Sequence, residues 1–576
     1  MRTAPGRQDP MPTQRTFSNI HAVMIGTALV ALLFAVAIGR APELADAKRP
    51  NVVLIQTDDQ TAATLNATYV NKRGQKKRVM ANTLDLIGNR GVEFSNYYVS
   101  IPVCSPSRAT LLSGQYAHTS GLPRNGGKLG GAKGLSRSPI FRENLAVALQ
   151  RRGYHTAHFG RFTNNYGKKG GYKKKAVPPG WDTWATDWNR GDVRRFYGYS
   201  LNVNGRIKGP YGSKRFGKYR FKDPVGCPSS KGIECNYHTD VISKMAIREV
   251  KKAKRGPLYI QVDYQAPHDG PAGTRDSEPA RRHIGTAKRT PLPQPPGFNE
   301  RNISDKPRVL RRGNRKLTDR EVNGIEGRYR RQLESLRSVD EGVGRIVRML
   351  RRTNRLSNTY VFLVSDNGYF LGEHRFGKSK FLAHEPSSNV PLIVRGPGVP
   401  TNRTSRAIVG NVDLAPTIAD LAGAKLRLEP DGRSFLRNLK RPGLTGNRSV
   451  MLESYMLPSE PLNRHLRQSG KTADSGGATV SGTVPFVNYS ALRAGRYKYI
   501  KYQGGGRELY DLKEDPFELS NKVANPRYAR VVDAIGEELS ERRFCAGIEC
   551  RKAVTGLPDP DPKPARNGKG KKNGRN

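Results

Sequence analysis

Acidic residues are scarce in this chain: 49 Asp and Glu stand against 100 Lys and Arg, a formal charge of +51 over 576 residues. A field of that sign favours an anionic partner, either a polyanion or an anionic envelope surface. No zinc-finger or zinc-knuckle spacing accompanies the charge, and the basic residues are spread along the chain instead of lying on one reading helix. Specific nucleic-acid recognition is therefore not indicated. Long apolar runs are missing as well, with one exception at the start. Residues 22–39 are continuously apolar, follow Arg2, Arg7 and Arg15, and lead into Ala/Pro-rich sequence ending at Arg49. That is the pattern of an export signal with a basic leader, and Ala35-Val36-Ala37 and Ala45-Asp46-Ala47 both resemble cleavage sites. The run is also near the shortest length that spans a bilayer, so a retained N-terminal anchor is the alternative. The expected location is secreted or cell-envelope associated.

Cysteine is rare too, at positions 104, 227, 235, 545 and 550. Cys227/Cys235 and Cys545/Cys550 are close pairs, expected as short-loop disulfides in an oxidising compartment and as free thiols otherwise. Cys104 is left over.

No repeat organises the chain, but its apolar segments do. Residues 50–59 form a short apolar run ending in Asp58 and Asp59, as a buried parallel strand does when its carboxyl end opens into a site. Residues 360–368 repeat the pattern and end in Asp366-Asn367-Gly368, and 258–264 lead into Ala266-Pro267-His268. Leu333, Leu336, Val339, Val343, Ile346, Val347 and Leu350 recur at helical spacing, which predicts a sheet-covering helix. Such alternation argues for a three-layer α/β/α sandwich with a mostly parallel central sheet. After about residue 440, strand-type sequence at 490–501 and 507–512 and a helical pattern at 531–543 predict a smaller C-terminal α+β domain. The expected divisions are a leader over 1–47, a catalytic domain over 48–440, the small domain over 441–556 and a disordered basic tail over 557–576. Residues 126–138 and 270–325 read as flexible or irregular loops.

The chemistry gathers around Cys104. In Cys104-Ser105-Pro106-Ser107-Arg108, Pro106 fits the first turn of a helix and the following residues continue it. Cys104 then lies at a helix N-terminus, where free N–H groups and the dipole favour an anion, with Arg108 one turn further on. Asp58, Asp59, Asp366 and Asn367 offer hard oxygen ligands from two strand ends, suited to Ca2+ or Mg2+ and poorly suited to zinc.

Cys-x-Pro-Ser-Arg followed by Ala109-Thr110-Leu111-Leu112-Ser113-Gly114 closely resembles the signature of the formylglycine-dependent sulfatases of the alkaline-phosphatase superfamily. Asp58-Asp59, Ala266-Pro267-His268, Asp366-Asn367-Gly368 with Gly372-Glu373-His374, and Glu508 to Pro516 (Glu-Leu-Tyr-Asp-Leu-x-x-Asp-Pro) stand in the same order as in that family. The resemblance spans residues 48 to 550. It implies that Cys104 is oxidised to formylglycine by a formylglycine-generating enzyme and that its hydrate is the nucleophile. It further implies that Asp58, Asp59, Asp366, Asn367 and the modified Cys104 hold a divalent ion. His268 stands as the general acid, Lys380 as a sulfate-clamping lysine, Arg108 beside the nucleophile, and His374 either lines the pocket or is structural.

One position departs from the family. Where Gly-Lys is usual, this chain has Gly160-Arg161, which keeps the charge on a planar, bulkier group. The run from Gly160 to Tyr166 and the segment Val390-Pro391 to Gly396-Pro397 resemble the N-acetylglucosamine-6-sulfatase branch, implying a sulfated carbohydrate as substrate. The alternatives are an arylsulfatase acting on small aryl sulfates, a phosphoester or phosphonate hydrolase of the same superfamily, and an inactive polyanion-binding envelope protein.

Overall fold

The computed structural model describes residues 49–167, 176–188, 195–212, 236–253, 256–270, 276–455 and 487–562. The leader and the Cys227/Cys235 pair lie outside the described residues. Among the described residues no helix is long and apolar enough to cross a membrane.

The apolar runs become neighbours in one sheet of ten strands: β1 (Asn51–Asp58), β2 (Val92–Phe94), β3 (His155–Gly160), β4 (Thr183–Trp188), β5 (Tyr199–Val203), β6 (Arg206–Tyr211), β7 (Leu258–Pro267), β8 (Thr359–Ser365), β9 (Leu392–Arg395) and β10 (Arg403–Ser405). Their order is β10-β2-β9-β8-β1-β7-β3-β4-β5-β6. The central stretch from β8 through β1, β7 and β3 to β4 is parallel. Antiparallel strands extend it on both sides, so the sheet is mixed at its flanks. Parallel pairing sends the carboxyl ends of β1, β3, β7 and β8 to one edge, which is where an open α/β sheet places its site.

Helices cover both faces because successive side chains of a strand point to opposite sides. Val53 and Ile55 of β1 join the core built with α3 (His238–Lys252) and α4 (Asp319–Arg352), while Val52 and Leu54 join α1 (Cys104–Ser113), α2 (Leu145–Arg151) and α5 (Leu414–Ala422). The expected apolar stripe of α4 is wholly buried, and the helix starts at a capping box formed by Thr318 and Glu321. That reciprocal pair satisfies two N-terminal donors and fixes where a 34-residue helix begins.

A second, antiparallel sheet follows: β11 (Ser449–Ser454), β12 (Tyr489–Ala494), β13 (Tyr497–Tyr502) and β14 (Arg507–Asp511). One face packs under α6 (Ala529–Arg542) through Leu492, Tyr499, Leu509, Val531 and Ile535. The other buries Leu452, Tyr489, Ile500 and Tyr510 against Phe370, Phe376, Leu382 and Ala383 of the loop after β8. Cys545 and Cys550 form a disulfide, and the buried His118 bridges Glu453 and the Cys545 carbonyl.

Two expected loops and the start of the expected tail are more ordered than their composition suggests. Residues 126–138 contain the short helix Gly131–Leu135 and bury Leu129, Ala132 and Leu135. Glycine lets this backbone dock closely, with Ala132 N donating to Asn164 O at 2.8 Å. Within the irregular 270–325 segment, Glu300 and Lys306 are buried and paired at 3.2 Å. The first residues of the expected tail are tied down through main-chain groups, Tyr497 Oη donating to Pro558 O and Asp561 N to Arg527 O.

Candidate active site

The site is assembled at the shared carboxyl edge of the parallel strands. β1 ends in Asp58, and Asp59 follows with φ 66°, a left-handed turn that Asp tolerates better than most residues. β8 delivers Asp366 and Asn367 alongside, with Asp59 N donating to Asp366 Oδ1 at 3.3 Å. β3 ends at Gly160, whose φ of +102° turns the chain sharply. A Cβ there would lie 2.0 Å from Asp263 O, so only glycine lets β3 approach β7 this closely. Arg161 is thereby swung into the site, its N–H bonded to Asp263 O at 2.9 Å.

Cys104 is the first residue of α1 and is buried. The N-cap residue Val103 offers no side-chain cap; Asn125 Oδ1 takes the Ser105 N–H instead, and Pro106 has none to give. At the other end, Gly114 closes the helix in the left-handed conformation with φ 73°. Lys380 Nζ donates to Cys104 Sγ at 3.1 Å and forms a very short contact with Asp59 Oδ1. Cys104 Sγ lies 3.7 Å from Asp58 Oδ1.

Arg108, one turn along α1, is gripped by carboxylates. Its guanidinium lies 3.2 Å from Asp58 Oδ2, 2.8 Å from Asp366 Oδ2 and 3.2 Å from Asp263 Oδ2, and it donates to Arg161 O at 2.8 Å. Arg161 Nε is 3.0 Å from Asp58 Oδ2, while its buried Nη1 has no acceptor among the described residues. His268 turns Nε2 toward Asp59 Oδ2 at 3.5 Å and is held through Nδ1 by Asp269, with Oδ1 at 3.0 Å.

Charge and burial are balanced here. Burial alone would raise the Asp58 carboxyl, but Arg161, His268, Arg108 and Lys380 hold it below the usual carboxylate range. Asp366 moves the other way, raised by burial and by the charge of Asp58 against the pull of Arg108 and Lys380. Burial opposes the charged form of His268, yet Asp59, Asp269 and Asp58 raise it well above its ordinary value. Lys380 is likewise kept cationic by Asp59 despite its burial.

Ligand atoms of Asp58, Asp59, Cys104 and His268 all lie within 4.8 Å of one another, a buried cluster capable of holding a metal ion. Asp366 and Asn367 flank it, and Asn367 Oδ1 is buried with no hydrogen-bond donor among the described residues. Three carboxylates and an orphaned amide oxygen are the donor chemistry of a hard, oxygen-preferring cation.

All the residues singled out in the sequence meet here except His374, which bonds Glu300 at 2.7 Å and lies tilted against the His384 ring. The sequence reading missed Asp263. This carboxylate anchors Arg108 and also accepts from Gln261 Nε2 at 2.9 Å while lying 3.1 Å from His158 Nε2. No signal marked it, since its strand also carries Gln261 and Gln265. It also missed Ser105, whose hydroxyl donates to Asn164 Oδ1 at 2.8 Å and whose N–H donates to Asn125 Oδ1.

Fold and site together define a hydrolase of the alkaline-phosphatase superfamily. Residues 50–424 match the sequence profile of the Sulfatase family, and the chain belongs to that family. It is 28% identical over 570 residues to human N-acetylglucosamine-6-sulfatase, covering 97% of this chain and 94% of the relative. With a Sulf-1 homolog of Caenorhabditis elegans it shares 33% identity over 393 residues, 67% of this chain but only about half (48%) of that longer protein. Its fold matches a structure solved in complex with its substrate D-glucosamine-2-N,6-O-disulfate, with a TM-score of 0.63, 22% identity and coverage of 88% and 98% of the two chains.

Proposed function

We propose that the protein hydrolyses sulfate monoesters of a sulfated sugar at Cys104, after a formylglycine-generating enzyme has converted that residue, in a secreted or envelope-bound location. The observation that carries this reading is the seat of Cys104: a buried Sγ at a helix N-terminus, 3.1 Å from Lys380 Nζ and 3.7 Å from a carboxylate of the metal-competent cluster. A bland structural cysteine has no use for a buried lysine.

Oxidised and hydrated, the Cys104 side chain supplies an oxygen nucleophile to sulfur and, once the alcohol has left, returns to the aldehyde as inorganic sulfate departs. Asp58, Asp59, Asp366 and Asn367 would hold Ca2+, which supplies charge neutralisation for the sulfate oxygens. The chain's own residues do the rest. Lys380 Nζ offsets negative charge beside the nucleophile, and the unpaired Nη1 of Arg161 is a donor for a sulfate oxygen. His268, raised by Asp59 and Asp269 and held through Nδ1 by Asp269, gives its Nε2 proton to the departing alcohol oxygen. Arg108, saturated by three carboxylates, holds the acids in place instead of binding substrate.

The sugar rests on the kinship with human N-acetylglucosamine-6-sulfatase. Mass spectrometry of the peptide spanning Cys104 tests the central step. Conversion to the aldehyde lowers its mass by about 18 Da, and active enzyme carrying only the unmodified thiol would refute the proposal.

A further inference from the structure

We infer that the C-terminal four-stranded sheet is a positioning device for Lys380, acting through Tyr489 of β12 and Lys498 of β13. The inference rests on the reading of Lys380 as a group that serves the reaction.

Lys380 stands between two residues in unfavourable backbone conformations. Ser379 has φ 95° and Phe381 has φ 88°, and neither is glycine. A branched or bulky side chain in this region is strained and stays there only when its surroundings leave it no other choice. A loop of this kind, left to itself, relaxes to negative φ. Rotation of either peptide would carry the Lys380 side chain away from Cys104 and Asp59.

The restraint comes largely from the second sheet. Ahead of Lys380, Phe370 N donates to Ser379 O at 2.8 Å, a contact within the loop. Behind it, Ser388 Oγ donates to Ala383 O at 2.7 Å from nearby in the chain, and the other anchors belong to the C-terminal part. Tyr489 Oη donates to Phe381 O at 2.9 Å, and Lys498 Nζ donates to Ala383 O at 2.8 Å. Glu518 accepts from Glu385 N at 2.8 Å. Lys498 is completely buried, an expensive place for an ammonium, and its charge is matched by Glu385 at 2.7 Å and Glu518 at 2.8 Å. Leu382 and Ala383 meanwhile fill the apolar face of the same sheet. Residues 381–385 are thus held at carbonyls, an amide and a carboxylate by Tyr489 and Lys498 of the sheet and by Glu518 of the segment that follows it.

Tyr489 gives the cleanest test, because Tyr489→Phe removes one hydrogen bond to Phe381 O and leaves the ring packing intact. Activity of the full-length, converted enzyme is followed with 4-nitrophenyl sulfate and N-acetylglucosamine 6-sulfate in wild type, Tyr489→Phe, Lys380→Ala and the double variant, with thermal unfolding as the control for folding. The expected result is a loss in kcat/KM of about tenfold for Tyr489→Phe in the wild-type background and less than about twofold once Lys380 is gone, because two groups acting as one unit are not additive. Lys498→Arg, which keeps the buried charge but not its geometry, follows the same pattern. An equal fold-loss from Tyr489→Phe in both backgrounds would make the sheet a mere structural support and overturn the inference. Unchanged activity in Tyr489→Phe would do the same. Full activity in Lys380→Ala would instead remove the premise about Lys380, a result distinguishable from either.

Discussion

At the scale of single residues, Arg161 is the position where this chain writes its own version of the site. Its guanidinium already meets Asp58 through Nε and retains a buried Nη1 without an acceptor among the described residues. Charge at this point is therefore in demand, while the planar fork is not fully used. Arg161→Lys is expected to keep or improve turnover, and Arg161→Ala to lower kcat by about a hundredfold, the usual cost of deleting one donor to an anionic transition state. Steady-state kinetics on one substrate decide it, and a collapse of the lysine variant to the alanine level would show that shape matters as much as charge. Residues of this kind were legible in the sequence when they stood at the ends of apolar runs, as Asp58, Asp366 and His268 do. Asp263 was not, because a single carboxylate within a strand leaves no pattern of its own; only the folded chain brings it to Arg108 of α1.

Among the elements, the strands and long helices were the most legible, since burial on both faces imposes continuous apolar runs and burial on one imposes a helical stripe. The small sheet was visible as strands, but its purpose was not, because nothing in residues 489–518 refers to residues 379–385 until both are folded. Glu508 shows what the junction costs. Burial would raise its carboxyl, but His384 at 3.4 Å together with the hydroxyls of Tyr502 and Tyr510 brings it down to about 2, from an ordinary value of 4.5. A depressed carboxylate stabilises the fold above its unfolded pKa and loses that contribution as pH falls toward the folded value. Stability is therefore expected to decline as pH falls from about 4.5 to about 2. Glu508→Gln should cost about 1–3 kcal/mol at neutral pH and flatten that decline. Thermal melts across the acid range measure both, and an unchanged acid slope in the variant would assign the sensitivity elsewhere.

For the whole molecule, the excess of basic residues was plain from composition, but their distribution was not. The hairpin formed by Thr68–Val70 and Lys76–Arg78 exposes Lys72, Arg73, Lys76, Lys77 and Arg78 in succession, and Arg289 and Arg337 close in beside it, on Lys72 O and over the Tyr69 ring. Turnover of a polyanionic sulfated chain should fall steeply between roughly 0.05 and 0.5 M salt, while turnover of 4-nitrophenyl sulfate changes far less. Equal salt sensitivity of the two substrates would deny the surface charge a part in capture. The burial of Cys104 beneath a site whose last supports arrive with Tyr489 and Lys498 also has a consequence in time. A chain made from its N-terminus exposes the thiol while roughly 385 residues are still to come before Tyr489, some 20–80 s at ordinary rates of synthesis. A modifying enzyme has that interval to reach the thiol, and any change that hastens closure around Cys104 would shorten it, leaving well-folded molecules that can never turn over.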